Sequence, residues 1–285
     1  MLSLFQKIIQ VSCVNPMRLC KKSFPGPALS RLINLGCGSR FHPLWDNYDC
    51  KPCNLKVKRV DLTQCLVLNK GQYEACYLSH VLEHLSRSRV PSLLREIQEI
   101  LSERGVIRIV VPDLEVICQR YLEQLQSALS GDPAASSKHE WMTVELIDQM
   151  TRTFSGGYMG RLWWSRPLLA REFILKRLGE EAGKWLNEID SQIQKGAKPL
   201  AQQDVYQTVK PKEKEIVTFR EQGEIHQWMY DRVSLKRLLE EAGFKSVKVC
   251  GATESAIPDF ASYNLDTDEN GKVRKPDSLF MEGIK

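Results

Sequence analysis

The sequence has no long hydrophobic run: none of its apolar stretches approaches the roughly 20 consecutive residues that a membrane-spanning helix needs. It also lacks heptads, internal repeats and low-complexity tracts, and its 17 glycines and 13 prolines are ordinary for 285 residues, which excludes collagen-like and coiled-coil rods. Apolar residues make up 42% and charged residues 26%. A chain of this length and composition buries about 75% of its unfolded surface, so a mainly disordered state is also excluded.

The nine cysteines are odd in number and irregularly spaced, and we recognise no secretory signal, because Lys7 interrupts the opening apolar run. We therefore expect free thiols and a cytoplasmic location. The pair Cys50-x-x-Cys53 has no second cysteine pair at matching spacing, so it predicts two thiols in a turn and no structural zinc.

Positive charge is concentrated at the start of the chain. Residues 1–60 hold ten basic and two acidic residues, a charge of +8, so the remaining residues sum to −3 for a total of +5. A solvated basic surface is the ordinary explanation; a phosphate-bearing substrate and weak contact with an anionic membrane are the alternatives. Few aromatic residues are interleaved with these charges, so no nucleic-acid partner is expected.

Short apolar strand patterns alternate with helical ones in the first half of the chain. Strands are predicted at 31–35, 46–49, 56–61, 73–79 and 106–111. A helical stripe covers Val90–Leu101, and Ser278–Glu282 is predicted to be the last strand, antiparallel to the others. This order is typical of an α/β fold with a doubly wound, mostly parallel sheet.

Between the fifth strand and the later ones, about 110 residues are helical and irregular, with helices predicted around 140–152 and near 168–179. We interpret them as an inserted helical lobe. The predicted organisation is a basic, helical N-terminal extension (1–30), a first core segment (31–115), the inserted lid or substrate lobe (116–223) and a second core segment (224–285).

Glycines follow the first predicted strand, and acids end the next two. Gly36-Cys-Gly38 allows close backbone approach of a ligand at the carboxyl ends of the strands. Asp49 is suited to a ribose diol and Asp61 to an adenine amino group, which indicates a nucleoside pocket. Phe41 occupies the third small-residue position of a dinucleotide fingerprint, so nicotinamide binding is disfavoured.

Several strings resemble class I S-adenosylmethionine-dependent methyltransferases, and most closely their broad type 11 group. They are Arg31–Ser39, Val60–Thr63, Tyr77–Leu85, Ile100–Gly105 and Ile107–Leu114. His226–Asp231 and Leu235–Phe244 are similar to a subgroup associated with sugar or polysaccharide biosynthesis. The resemblance implies a seven-stranded, Rossmann-like sheet and S-adenosylmethionine as the cofactor.

The resemblance also implies the roles of individual residues. It places the cofactor on Leu35, Gly36, Cys37, Gly38, Asp49, Asp61, Leu62, Ser79 and His80. It places the acceptor substrate near Asp148, Gln149, Arg152, Gly156 and Gly157, and the position of Tyr230 just before the helix predicted at Ser234 makes it a further candidate at the pocket mouth. The chain departs from the family pattern at Asn34, where an acid is usual, and in the eight residues 39–46, which are too few for the usual crossover helix.

His80-Val-Leu-Glu83-His84 matches an inverted zinc-protease string, but it directly follows a strand and is a common methyltransferase string, so no metal is expected. Methyl transfer to oxygen benefits from a base, and His80, His84 and His226 are the candidates, in no order. Tryptophans of the predicted lobe are either its core or a platform for a sugar: Trp141, Trp163, Trp164 and Trp185.

The sequence therefore predicts methyl transfer to an oxygen, carboxylate or nitrogen of a small or lipid-linked acceptor, with a sugar as the class that the subgroup implies. The alternative is a catalytically inactive module that keeps the cofactor fold. The oligomeric state is left open.

Overall fold

The computed structural model describes residues 31–285, and the predicted N-terminal extension (1–30) lies outside the described residues. Seven strands form one sheet in the order β3-β2-β1-β4-β5-β7-β6. The strands are β1 (Leu32–Leu35), β2 (Trp45–Asp49), β3 (Val57–Arg59), β4 (Tyr73–Ser79), β5 (Leu101–Pro112), β6 (Lys245–Cys250) and β7 (Ser278–Ile284).

Strands β1 to β5 pair in parallel, and β7 lies antiparallel between β5 and β6. The predicted fold, a doubly wound and mostly parallel seven-stranded sheet, is thereby confirmed. Because parallel strands share a direction, the residues that follow β1, β2 and β4 meet at one edge of the sheet.

Seven helices are described. They are α1 (Val90–Ile100), α2 (Leu114–Leu129), α3 (Pro133–Thr151), α4 (Gly157–Trp164), α5 (Arg171–Gln194), α6 (Glu213–Glu221) and α7 (Arg232–Glu241). None of the helices within residues 31–285 combines the length and apolar character needed to cross a bilayer.

One face of the sheet is covered by helices. The predicted stripe of α1 is buried, including Leu93, Leu94 and Ile97, and it packs with Leu235 and Leu239 of α7 against the sheet. Apolar side chains at helical spacing form such a face because residues three and four apart lie on the same side of a helix.

The other face is covered by an irregular segment. As the short spacing predicts, β1 and β2 are joined by a loop without a helix. Residues 251–277, between β6 and β7, lie over this face and contribute Phe260 and Leu265 to a second core with Trp45 and Tyr77 of the strands.

Arg108, in the middle of β5, fastens this covering segment to the sheet. Its side chain is fully buried, with Nε 2.7 Å from Asp266 Oδ2 and Nη1 2.8 Å from Glu282 Oε1. It also donates to the carbonyl oxygens of Gly251 and Glu254. A buried guanidinium is tolerated only when its charge and its donors are satisfied, and here both conditions are met.

Helices α2 to α6 lie between β5 and α7 in the chain, and α2 to α5 enclose a third core around Trp141. Helix α5 consists of two helical segments that meet at a kink at Gly179 (φ +69°, ψ −138°), so the predicted helix end at 179 is confirmed, and a second segment follows it. A Cβ at Gly179 would lie 2.4 Å from the carbonyl oxygen of Arg274, so only glycine allows this close backbone contact. The division into domains stays a prediction.

We expect Arg108→Met to lower the free energy of unfolding by about 3–5 kcal/mol, because it leaves two buried carboxylates without their cation. Equilibrium urea unfolding followed by circular dichroism measures the loss. The control is Arg120→Met, which removes a half-exposed pair with Glu123 and should cost no more than about 0.5 kcal/mol. Equal losses in the two variants would contradict the role given to Arg108.

Candidate functional site

Two adjoining cavities open at the edge where the parallel strands end. The first, of about 620 Å³, is bordered by the glycine turn after β1, by Ser79 and by α5. The second, of about 390 Å³, lies between the β4 tip and helices α3 to α5. Both include Glu181, Trp185 and Lys275, which therefore form a common wall. Volumes of this size suit small organic ligands.

The glycine turn, Gly36-Cys37-Gly38, borders the first cavity. Gly36 has φ +72°, and a Cβ there would lie 2.3 Å from Val81 Cγ2, so only glycine fits. Gly38 has φ +52° with no atom within 4 Å of its Cβ position, which leaves open space above the turn. The predicted cofactor residue Leu35 is fully buried in the core beneath it.

The predicted acids lie beside the first cavity and outside its walls. The carboxylate of Asp49 accepts hydrogen bonds from the backbone N–H groups of Gly38 and Lys51, each at 2.8 Å, so it holds the glycine turn directly. Asp61 accepts from Thr63 within its own turn, and Leu62 is buried in the core. Cys37 lines the cavity, and burial raises the pKa of its thiol to about 12, so it is not a thiolate.

A cluster of charges lines the first cavity between the loop after β1 and α5. Glu180 of α5 pairs with Arg40 at 3.1 Å and also with Lys184 and Arg274. Burial acts to raise its pKa, but these three cations outweigh it and lower the pKa to about 2. Glu180 thus links the loop after β1 to α5 and the covering segment.

The chain turns sharply where β4 ends. His80 follows Ser79 with φ +54°, a left-handed conformation that is uncommon for residues other than glycine and is often found at functional sites. Its Nδ1 lies 3.1 Å from Glu83 Oε1, and its Nε2 lies 3.0 Å from Ser278 Oγ of β7. The imidazole is therefore fixed from both sides at the wall of the second cavity.

Glu83 is fully buried among the three predicted histidines. Burial acts to raise its pKa, but His80, followed by His84 and His226, lowers it to about 2, so the side chain is a carboxylate. His226 is also buried, and this burial lowers its pKa to about 3 against the opposing effect of Glu83. The ring of His226 is therefore neutral near pH 7.

The predicted acceptor residues of the helical segment fall into two groups. Asp148 pairs with Arg152 at 2.8 Å and accepts from the backbone of Tyr158 at the start of α4, and its carboxylate fills the space where a side chain on Gly157 would lie. These contacts are structural. The second group, Gln149 and Gly156, lines the second cavity, and so does Arg152, although its terminal nitrogens are paired with Asp148 and Glu224.

Two of the predicted tryptophans, Trp163 and Trp185, also line the second cavity, whereas Trp141 is buried and donates to Glu145. Tyr230 is buried outside the walls of both cavities, and its hydroxyl has no hydrogen-bond partner within residues 31–285. Burial and the neighbouring Glu83 raise its pKa to about 12.

Sequence reasoning missed most of the residues that complete the cavities. Glu83 is part of the string His80-Val-Leu-Glu83-His84. Its importance comes from its burial, which no local sequence pattern reveals. Glu180, Glu181 and Lys275 carried no signal, because they reach the site only through the packing of α5 and the covering segment.

No protein-family model matches the chain, and no curated protein matches its sequence. Solved structures do match. An S-adenosylmethionine-dependent methyltransferase from Mesorhizobium loti is 19% identical over 32% of this chain and half of its own, with a TM-score of 0.23.

Two further matches cover 90% of this chain. One, from Thermotoga maritima, is described as a possible histamine N-methyltransferase; it is 10% identical over 83% of its length, with a TM-score of 0.39. The other, a methyltransferase from Archaeoglobus fulgidus, is 12% identical over 86% of its length, with a TM-score of 0.37. All three TM-scores lie below 0.5, so function is inferred below from the chain's own residues.

We expect Gly36→Ala to lower the free energy of unfolding by about 2–5 kcal/mol, because it adds left-handed backbone strain and a clash with Val81. Gly38→Ala should cost only about 1–2 kcal/mol, since the space above it is open. Adding Val81→Ala to Gly36→Ala should recover part of the loss. Chemical denaturation of all variants measures this order, and equal losses at the two glycines would contradict it.

We expect Glu180 to stabilise the fold above pH 4.5, where both its folded and unfolded forms are charged. As pH falls from its ordinary pKa near 4.5 to about 2, the unfolded chain takes up a proton before the folded one, so this stabilisation is lost. Glu180→Gln should therefore lose less stability than the wild type across that window. Thermal melts against pH test this with exposed Glu269→Gln as control, and parallel wild-type and Glu180→Gln profiles would contradict it.

Proposed function

We propose that the protein transfers a methyl group from S-adenosylmethionine to an oxygen of a small or lipid-linked acceptor, with a sugar as the favoured acceptor class. The observation that carries the proposal is the hydrogen bond from Gly38 N to the Asp49 carboxylate at the edge of an open cavity. It brings together the glycine turn and the first acid, the two features from which the sequence predicts a nucleoside pocket.

The residues present fit the cofactor. The open space above Gly38 gives a ligand access to the backbone, and Ser79 contributes a hydroxyl from the end of β4. Asp49 has lone pairs left for a diol after accepting its two backbone hydrogen bonds. When bound, S-adenosylmethionine would supply an electrophilic methyl group on a sulfonium.

The second cavity has the features of an acceptor site. Ser79 lines the first cavity and the next residue, His80, lines the second, so the two sites meet at the β4 tip. Trp163 and Trp185 offer aromatic faces on which a sugar ring can pack, and Gln149 offers a side-chain amide. Helices α3 to α5 border this cavity, and a site shielded from water favours methyl transfer to an oxygen nucleophile.

His80 is best placed to take the proton of an acceptor hydroxyl. Glu83 orients its Nδ1 and stabilises the charged imidazolium, which leaves Nε2, now near Ser278, as the atom that receives the proton. This is the pairing of an oriented base with a buried carboxylate that many transferases and hydrolases use.

We expect Gly38→Arg and Asp49→Ala to abolish the saturable heat that S-adenosylmethionine and S-adenosylhomocysteine give with the wild type in titration calorimetry. The arginine fills the open space above the turn, and the alanine removes the carboxylate that holds it. Asp132→Ala, which removes an exposed helix cap, is the control and should bind as the wild type does. Absence of heat with the wild type would overturn the proposal.

A labelled methyl donor tested against sugars and lipid-linked sugars then distinguishes an enzyme from an inactive binding module. Donor binding without transfer to any acceptor would favour the module. Label on a carboxylate or nitrogen would correct the acceptor atom.

A further inference from the structure

We infer that Glu83, His84 and His226 form a binding site for one divalent transition-metal ion at the wall of the second cavity. One atom from each side chain, a carboxylate oxygen or a ring nitrogen, lies within 4.8 Å of the others. The inference departs from the sequence-based expectation that the histidine string binds no metal. Its consequence for catalysis rests on the proposed function, but metal binding itself does not.

Unsatisfied buried atoms mark the site. Glu83 is 0% exposed, and apart from the 3.1 Å approach of His80 Nδ1 to Oε1 its carboxylate oxygens have no hydrogen-bond partner among the described residues. His226 is 5% exposed, and its Nδ1 also lacks a partner within residues 31–285. Buried polar atoms without partners are rare in folded proteins, and an ion between them would satisfy both at once.

The histidine tautomer is also suitable. His84 Nδ1 lies 3.2 Å from the carbonyl oxygen of Ile225, to which it donates, so Nε2 carries the lone pair. That Nε2 faces Glu83 Oε1 at 3.9 Å. A hydrogen bond from the second ring nitrogen to a backbone carbonyl is the usual arrangement for a metal-binding histidine, because it fixes both the tautomer and the ring orientation.

The two segments that supply the donors are joined by their backbones. The N–H of Gln227 donates to the carbonyl oxygen of Glu83 at 2.6 Å, and the side chain of Gln227 donates to that of His84 at 3.2 Å. His226 N donates to Gln149 O at 3.0 Å. The donors are therefore held in place before an ion binds.

The donor set selects the class of ion. Two imidazoles and one carboxylate suit Zn²⁺, Fe²⁺, Co²⁺ or Mn²⁺, whereas Mg²⁺ and Ca²⁺ prefer oxygen ligands. Ligands about 2.0–2.2 Å from a tetrahedral ion lie roughly 3.5 Å apart, so side-chain shifts of about 1 Å complete the site. Three protein ligands leave a position open towards the second cavity, whose walls include His84 and His226.

The site would give the acceptor a second anchor beside the proposed base. A hydroxyl bound at the open position loses its proton more readily, because the cation stabilises the alkoxide. His80 contacts the same carboxylate, so the ion and the base would act on the acceptor from one fixed centre. A polyol with neighbouring hydroxyls is the substrate class that such a centre recognises.

The test is titration of chelator-treated full-length protein with Zn²⁺ by calorimetry and with Co²⁺ by absorption spectroscopy. Exposed Cys50 and Cys53 could bind these ions independently, so every protein carries Cys50→Ser and Cys53→Ser. We expect one ion per chain and at least about tenfold weaker binding in Glu83→Gln, His84→Ala and His226→Ala. His42→Ala, which removes a histidine outside both cavities, is the matched control and should leave binding unchanged.

The inference would be overturned if Zn²⁺ and Co²⁺ did not bind stoichiometrically, or if all three variants retained their binding. A binding heat with Mg²⁺ and none with Zn²⁺ would also overturn it. If the variants do not fold, the parent protein is loaded with Cu²⁺, and electron spin-echo spectroscopy counts the imidazoles bound to the ion. We expect two, and a count of none or one would contradict the site. Calorimetry with S-adenosylhomocysteine on the same metal-free protein separates the two proposals: donor binding without metal binding refutes only the metal site, and the reverse refutes only the proposed function.

Discussion

The ion-pair network of Arg108 is the interaction on which the architecture depends. The loop between β1 and β2 is too short to supply a helix, so that face of the sheet must be covered by something else. Residues 251–277 do so without an α-helix or a strand, and the fully buried guanidinium of Arg108 holds them to β5 through Asp266 and the carbonyl oxygens of Gly251 and Glu254. The same segment carries Arg274 and Lys275 into the first cavity, so a structural ion pair also shapes the candidate site.

A second buried charge organises the chemistry. Glu83 lies where the chain turns after β4, with His80, His84 and His226 around it. A carboxylate without solvent must be compensated by a cation or by donors, and here the compensating groups are also those suited to proton transfer and metal binding. Glu83 therefore both needs compensation for its buried charge and organises the reactive side chains, beside the point where the two cavities meet.

Much of the fold could be predicted because its signals are local. Apolar periodicity identified β4, β5 and α1. The eight-residue spacing after Gly38 predicted that no crossover helix connects β1 and β2. The helix end at 179 could be predicted from its glycine, but the second helical segment of α5 could not, because the kink between the segments depends on a close contact with the distant backbone of Arg274. Among the candidate site residues, those next to strand ends lay near the cavities, whereas Tyr230 was packed away from them.

By itself, the sequence determined the parallel α/β sheet, the glycine turn and the order of acids and histidines along the strands, because strand direction and turn chemistry depend on neighbouring residues. Only the tertiary structure decided that Asp49 holds the turn, that α5 divides the ligand space in two, and that buried Glu83 lies beside His226, whose Nδ1 has no partner within residues 31–285. These contacts join residues that are far apart in the chain. Their strength depends on burial, which is a property of the packed molecule.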